Sequence, residues 1–461
     1  MNSEKAYRHI AVIDIGKTNA KVVVLDAGTG AEIAAVRTAN SVLKSAPYPH
    51  YDIDGLWDFI ISALKGFVRA PGFDAISITT HGASAVMLSA DGSLAMPVLD
   101  YEHGYPQAVQ DTYARLRPGF AETFSPGLSV GLNVGAQIHY LKSTFPADFA
   151  RAATILTYPQ YWAFRLTGIA ANEVTSLGCH TDLWNPTTQS YSSLVDTLGI
   201  RGLMAPVRSA FDALGPVLPA LAADMGLTKP VPVYCGIHDS NASLLPHLVE
   251  NEAPFAVVST GTWVISFGVG GDLEHLDPRR DALANVDAYG RAVPSARFMG
   301  GREFEILAVE IGPASSDAVE AALEAVIEKD LMLLPNVVDG SGPFPGRKMQ
   351  WVGDVATDTT ERLAAVSLYL AMMTEACLDL IGAKGSIFVE GPFALNRAYL
   401  LALAAVTGKD VIALPGSTGT SQGAALLTGI RPPSAMENVP IRADLRGLRH
   451  YRQAWRRALG D

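Results

Sequence analysis

Two apolar runs around a short polar break open the chain, and the same figure returns near its middle. Residues 10–25 read IAVIDIGKTNAKVVVL, which predicts strands over 10–15 and 20–25 joined by the turn GKTN. A third run over 31–37, after the turn AGTG, completes a predicted antiparallel meander. Apolar positions at helical spacing over 54–69 (DGLWDFIISALKGFVR) predict a helix with Asp54 as its N-cap. The stretch AISITTHG predicts a strand over 75–82, and residues 85–102 look like a hairpin. From 105 to 230 the pattern is mostly helical with long loops, and VPVYCGIHDSNASLLPHL at 231–248 reads as a strand running into a helix.

At 255–269 the sequence FAVVSTGTWVISFGV is again two strands around a small polar turn, STGT. A helix over 358–382 leads to the strand SIFVEG at 386–391, then the helix NRAYLLALAAVTG and the strand DVIAL. The stretch STGTSQGAALLTG reads as a turn opening a further helix. A hairpin-led α/β pattern present twice predicts two similar domains, over 1–248 and 249–461, with ligands in a cleft between them.

Composition narrows the classes. Of 461 residues, 49% are apolar and 18% charged, a globular balance. Apolar stretches such as LLALAAV at 400–406 fall short of a membrane span. The opening MNSEKAYRHI has no apolar signal core, so a cytoplasmic protein is expected. Cys179, Cys235 and Cys377 lack metal-like spacing and read as reduced, buried thiols. A net charge of −11 without a basic run argues against a nucleic-acid partner, so local groups must hold any anionic ligand.

The polar breaks carry the candidate chemistry. Asp14 ends an apolar strand, where it suits a hydrated cation, and Gly16, Lys17, Thr18 and Asn19 offer N–H and hydroxyl groups to phosphate. Thr260, Gly261 and Thr262 form the matching second turn. Asp239 at a strand–helix junction is either the cap of that helix or a general base for a substrate hydroxyl, with His238 beside it. GPFALN at 391–396 can wrap a ribose, or can be a loop whose Asn396 caps a helix. TSQGAAL at 420–426 opens a helix with small residues, suited to close packing or to a flat base. His81 and Glu102, in THG and LDYEH, suit hydrogen bonds to a polyhydroxylated substrate. Trp263 suits a sugar face or the core.

These pieces in this order resemble the FGGY family of carbohydrate kinases, within the actin-like ATPase superfamily. DIGKTNAK at 14–21 is similar to that family's first phosphate motif, GIHDSNAS to its catalytic segment, STGTW to its second phosphate hairpin, and VEGPFALN with SQGAAL to its adenosine motifs. The resemblance implies two actin-like, ribonuclease H-like α/β domains, ATP and Mg²⁺. It makes Asp239 the base, with Asp14 and Asp239 at the metal. Phosphate contacts fall to Gly16–Asn19 and Thr260–Thr262, nucleotide contacts to Gly391, Asn396 and Gln422. Sugar contacts fall to His81, Gly82, Glu102, His238 and Asp239. The HD pair and STGTW look most like the rhamnulokinase and fuculokinase branch, whose substrates are ketoses such as L-rhamnulose or L-fuculose. Two departures stand out: Lys17 replaces the usual threonine, and Pro392 interrupts the usual glycine-rich loop. The expected partner is a small sugar, with no nucleic acid or membrane, and a homodimer is the assembly considered. The rival readings are an actin-like ATPase without sugar chemistry and a nucleotide-independent sugar-sensing regulator on the same fold.

Overall fold

The computed structural model describes residues 7–354, 358–415, 419–433 and 439–460; Ser417 and Thr418 of the turn read as STGT before the helix at 420 lie outside them. The chain forms two compact units. Unit 1 comprises Met1–Glu250, Ala284–Ala292 and Thr418–Ser434, and unit 2 the remainder. Most of each unit lies on its own side of the expected boundary at 248/249, and two short segments pack with unit 1: Ala424–Leu427 share one apolar cluster with Ile10, Val12, Val23 and Leu25, so the segment near 420 packs with the first strands.

Unit 1 is built on a mixed sheet. Its strands lie in the order Ala213–Pro216, Pro232–Tyr234, Ala75–Thr80, His9–Ile15, Asn19–Asp26, Glu32–Ala39, with Ile237–His238 also paired to Ala75–Thr80. His9–Ile15 runs antiparallel to Asn19–Asp26 and parallel to Ala75–Thr80. Alternation explains the unbroken apolar runs. Ala11, Ile13 and Ile15 point into a cluster with Leu56, Ile60 and Leu64 of the helix Ile53–Arg69. Ile10 and Val12 point to the other face, against Ala242 and Leu245 of the helix Asp239–Glu250. A strand buried on both faces has no polar side to show in its sequence.

One local expectation changes. The helix Ile53–Arg69 is capped by Asp52, whose carboxylate accepts the Gly55 N–H at 3.0 Å, so Asp54 lies inside its first turn. Ala85–Leu88 folds back locally, with an antiparallel bridge between Leu88 and Leu94 and the Ala95 N–H donating to the Met87 carbonyl at 2.9 Å, and it also pairs antiparallel with Thr154–Thr157; Ala85 and Met87 join a cluster with Ile138, Leu141 and Ile155, whereas Val86 and Leu88 join that of Leu56, Ile60 and Leu64.

In unit 2 the strands lie in the order Ala292–Phe298, Val264–Val269, Phe255–Thr260, Ile387–Glu390, Val411–Leu414. Phe255–Thr260 is antiparallel to Val264–Val269 and parallel to Ile387–Glu390. This repeats the arrangement around His9–Ile15. The helix Thr359–Leu380 is long and apolar enough to cross a membrane, longer than any apolar stretch read from the sequence, yet 94% of its apolar window is buried inside the protein. It is a core helix. Cys179, Cys235 and Cys377 are all buried, and none of them forms a disulfide among the described residues.

Candidate active site

Asp14 is the penultimate residue of its strand, opposite Lys21 on one side and Thr79 on the other. Its carboxylate accepts hydrogen bonds from the Thr420 and Ser421 hydroxyls, the latter at 2.7 Å, at the start of the helix Thr420–Leu426. Burial pushes the Asp14 carboxyl above its ordinary range; the two hydroxyls pull it down, and the Asp239 carboxylate pushes it up again. The helix comes this close because residue 423 is glycine: a Cβ there would sit 1.7 Å from the Ala242 carbonyl oxygen. After Asp14 the chain turns through Gly16, whose N–H donates to the Asn19 carbonyl at 2.8 Å, leaving Thr18 and Asn19 exposed.

Asp239 opens the helix Asp239–Glu250, and its side chain is 30% exposed, open to a ligand yet largely out of water. Its Oδ1 accepts the Ser240 N–H at 2.6 Å and lies 3.1 Å from His238 Nε2. Burial raises the Asp239 carboxyl, and His81 partly offsets that. His238 is itself buried, with Nδ1 facing the Asn241 side-chain amide at 3.4 Å. With an amide N–H at Nδ1 the ring proton belongs on Nε2, which stands 3.1 Å from Asp239 Oδ1 and 3.8 Å from Cys179 Sγ. Burial lowers His238 to about 4, so this is a neutral donor. Behind it, the His238 N–H donates at 3.0 Å to the Thr175 hydroxyl, which donates to the fully buried Glu173. Gly82 is required beside this ring: a Cβ would approach His238 Nε2 to 2.7 Å. His238, an expected sugar contact, stands directly beside Asp239.

His81 continues from Ala75–Thr80, its N–H bonded to the Ile15 carbonyl at 2.8 Å. Its ring contacts those of Tyr51, Tyr101 and Tyr158, with centroids 5.2, 5.5 and 4.9 Å away. Nδ1 lies 2.8 Å from the Gly82 carbonyl oxygen, whereas the buried Nε2 has no hydrogen-bond partner among the described residues.

The Lys17 side chain does not follow the turn's N–H groups but ion-pairs with Asp100 and lies 3.4 Å from Glu102 Oε2. The ammonium sits over the Tyr101 and Tyr51 rings at 4.6 and 5.1 Å. A buried carboxylate draws the cation away from the phosphate turn.

In unit 2, the buried Thr260 hydroxyl donates to the Glu390 carbonyl and accepts the Phe393 N–H at 3.0 Å, so it ties the STGT turn to the loop at 391–396. Gly261 and Thr262 stay exposed at the turn's tip. Gly391 has φ +78°, and a Cβ there would meet the Thr260 carbonyl oxygen at 1.9 Å. Pro392 begins the short 3-10 turn Pro392–Leu395, and Asn396 caps the helix Arg397–Thr407 by accepting the Tyr399 N–H at 3.0 Å. Gln422 belongs to unit 1, and its side-chain oxygen accepts the Gly419 N–H at 3.1 Å. Trp263 lies beneath the Arg297 guanidinium at 4.6 Å.

Sequence reasoning missed three elements. The helix Gly300–Ile311 abuts the second turn: the Arg302 N–H reaches the Thr262 carbonyl at 3.2 Å, and a Cβ on Gly301 would overlap the Gly261 carbonyl. The Gly300–Gly301 pair was its one visible signal. Asp100 and the Thr420–Ser421 hydroxyls gave none. Among the described residues no trio of histidine, cysteine and carboxylate side chains forms a closed metal cage. Asp14, whose carboxyl the Asp239 carboxylate pushes up, fits Mg²⁺, which binds through one or two carboxylates while keeping its water.

The model for the FGGY family of carbohydrate kinases, N-terminal domain, matches residues 9–246, and that for the carbohydrate kinase FGGY C-terminal domain matches 252–437. The crystal structure of a carbohydrate kinase from Novosphingobium aromaticivorans is similar at a TM-score of 0.91 and 37% identity, over 97% of this chain and 100% of that one. L-fuculokinase of Salmonella typhi is 24% identical over 274 residues, 58% of this chain and 57% of that protein. Rhamnulokinase of Halalkalibacterium halodurans is 24% identical over 261 residues, 54% of each. The chain thus matches about half the length of these curated relatives. Its units carry the actin-like, ribonuclease H-like α/β fold of the structural neighbours. With its two halves matched in order over nearly the whole sequence, the chain belongs to the FGGY family of carbohydrate kinases.

Proposed function

We propose that this protein transfers the γ-phosphoryl group of ATP to a hydroxyl of a ketose, with L-rhamnulose or L-fuculose as the first substrates to try. One observation carries the reading: the partly exposed Asp239 carboxylate, held by the Ser240 N–H and His238 Nε2, beside Asp14. A positioned carboxylate raised above its ordinary range is a better proton acceptor, the task of a base that takes the proton of an attacking hydroxyl. Neutral His238 fixes its orientation without neutralising it. The exposed Thr18, Asn19, Gly261 and Thr262 are the phosphate-facing candidates, with the N-terminus of Gly300–Ile311 adding its dipole beside the second turn. Mg²⁺ held by Asp14 and Asp239 would neutralise charge on the transferred group. His81 Nε2 and Glu102 are the candidate sugar contacts. Gly391 and Asn396 remain the nucleotide candidates of unit 2, with Asn396 also the cap of its helix.

The choice of sugar draws on the names L-fuculokinase and rhamnulokinase borne by two relatives. A cytoplasmic location and a homodimer belong to the same reading. The test is a coupled ADP-release screen with Mg-ATP over ketoses, 6-deoxyketoses, polyols and aldoses. Sugar-dependent ADP release with a ketose preferred is the expected result. ADP release that ignores added sugar would point to an ATPase without sugar chemistry.

A further inference from the structure

We infer that Lys17, although it sits in the first phosphate turn, is a positioning residue of the sugar side, acting through Asp100. Three observations carry this. First, the ammonium donates to Asp100 Oδ1 and to the Tyr51 hydroxyl at 3.4 Å, and it lies 3.4 Å from Glu102 Oε2, so its contacts point to one place, away from the turn's N–H groups. Second, Asp100 is only 7% exposed, and besides Lys17 it has the Glu102 N–H at 3.2 Å and the Tyr51 hydroxyl at 3.4 Å. A carboxylate so far out of water depends on its cation. Third, the cluster leads to an independent pointer to a ligand. Tyr51 and Tyr101, the rings under the ammonium, also contact His81, whose Nε2 is buried and without a hydrogen-bond partner among the described residues, in a residue 5% exposed.

Charge defines the class of ligand. One cation faces two carboxylates, so the cluster has a net negative charge and offers acceptors to hydroxyl groups while disfavouring an acidic sugar. Lys17 fixes the Asp100 carboxylate and the backbone of Glu102 that bonds to it. The ligand is a neutral polyhydroxylated compound whose hydroxyls donate to this carboxylate pair.

The inference rests on the sugar-kinase reading, and the experiment separates the two. Lys17→Met, Asp100→Asn and the double variant are compared with the wild type, using whichever panel compound is turned over. Binding of a non-hydrolysable Mg-ATP analogue is followed by calorimetry. For Lys17→Met we expect the sugar KM to rise about ten-fold or more, with analogue affinity changed less than about two-fold. The double variant should lose little more than either single change, since both break one unit. Lys17→Arg, which keeps a cation, is expected to restore much of the sugar KM and supplies the comparison if Lys17→Met does not fold. Weakened analogue binding with unchanged sugar KM would overturn the inference, as would fully additive losses. If the compound turned over is not a ketose, the substrate reading fails, and the Lys17 comparison is still decided on that compound.

Discussion

At the scale of single residues, Asp239, His238 and Asn241 form a chain in which each member fixes the next. Asp239→Asn keeps the shape of the carboxylate and its contacts to Ser240 but cannot accept a proton. We expect kcat to fall by about 10²–10⁴-fold with an unchanged melting temperature, read by coupled ADP release and circular dichroism. Glu173, at the far end of the chain of hydrogen bonds through Thr175, makes a separate prediction about pH. Burial raises its carboxyl from 4.5 to about 7. Between those values the native state binds more protons than the unfolded one, so this group's contribution to stability falls as pH rises through that window. The wild type should therefore be more stable relative to Glu173→Gln at pH 5 than at pH 8, by at most about 3 kcal/mol, measured by urea denaturation. Asp14, His238 and Asp239 were legible because each stands where an apolar strand gives way to a polar break. Lys17 was not: its four-carbon stem leaves the turn for a carboxylate 83 positions away, and no local pattern encodes that destination.

At the scale of elements, the two antiparallel hairpins with their parallel neighbours were visible in the sequence, because strands buried on both faces stay apolar throughout. The pairing of Ala85–Leu88 with Thr154–Thr157 was not, since short apolar strands carry no mark of a remote partner. The fit of turn to loop was also hidden. Thr260 looks like a phosphate hydroxyl in sequence, yet its oxygen is committed to the loop at 391–396. That commitment makes Gly391 a sharp test. Gly391→Ala meets both a left-handed backbone and a carbonyl oxygen at 1.9 Å. It should destabilise unit 2 by about 2–4 kcal/mol and weaken binding of the ATP analogue, as measured by denaturant midpoint and calorimetry. Unchanged stability would mean that the loop can move freely from the turn.

At the scale of the molecule, the repeated figure and the two family matches, over 9–246 and 252–437, describe consecutive blocks, while residues 284–292 and 419–433 pack with unit 1. Nothing in the composition of these segments announces their destination; apolar Ala424–Leu427 would suit any core. A fragment of residues 1–250 would lack the helix Thr420–Leu426, exposing the face formed by Ile10, Val12, Ala242 and Leu245. We expect it to bind a hydrophobic dye and to melt without cooperativity. A fragment carrying 419–433 on a flexible linker should melt as a folded unit. The same arrangement has a temporal meaning. Thr420 lies 406 positions after Asp14, so a ribosome adding roughly 5–20 residues per second leaves that aspartate without its hydroxyl partners for tens of seconds. A truncated translation product would carry an unfinished first half, a state that protein quality control can recognise.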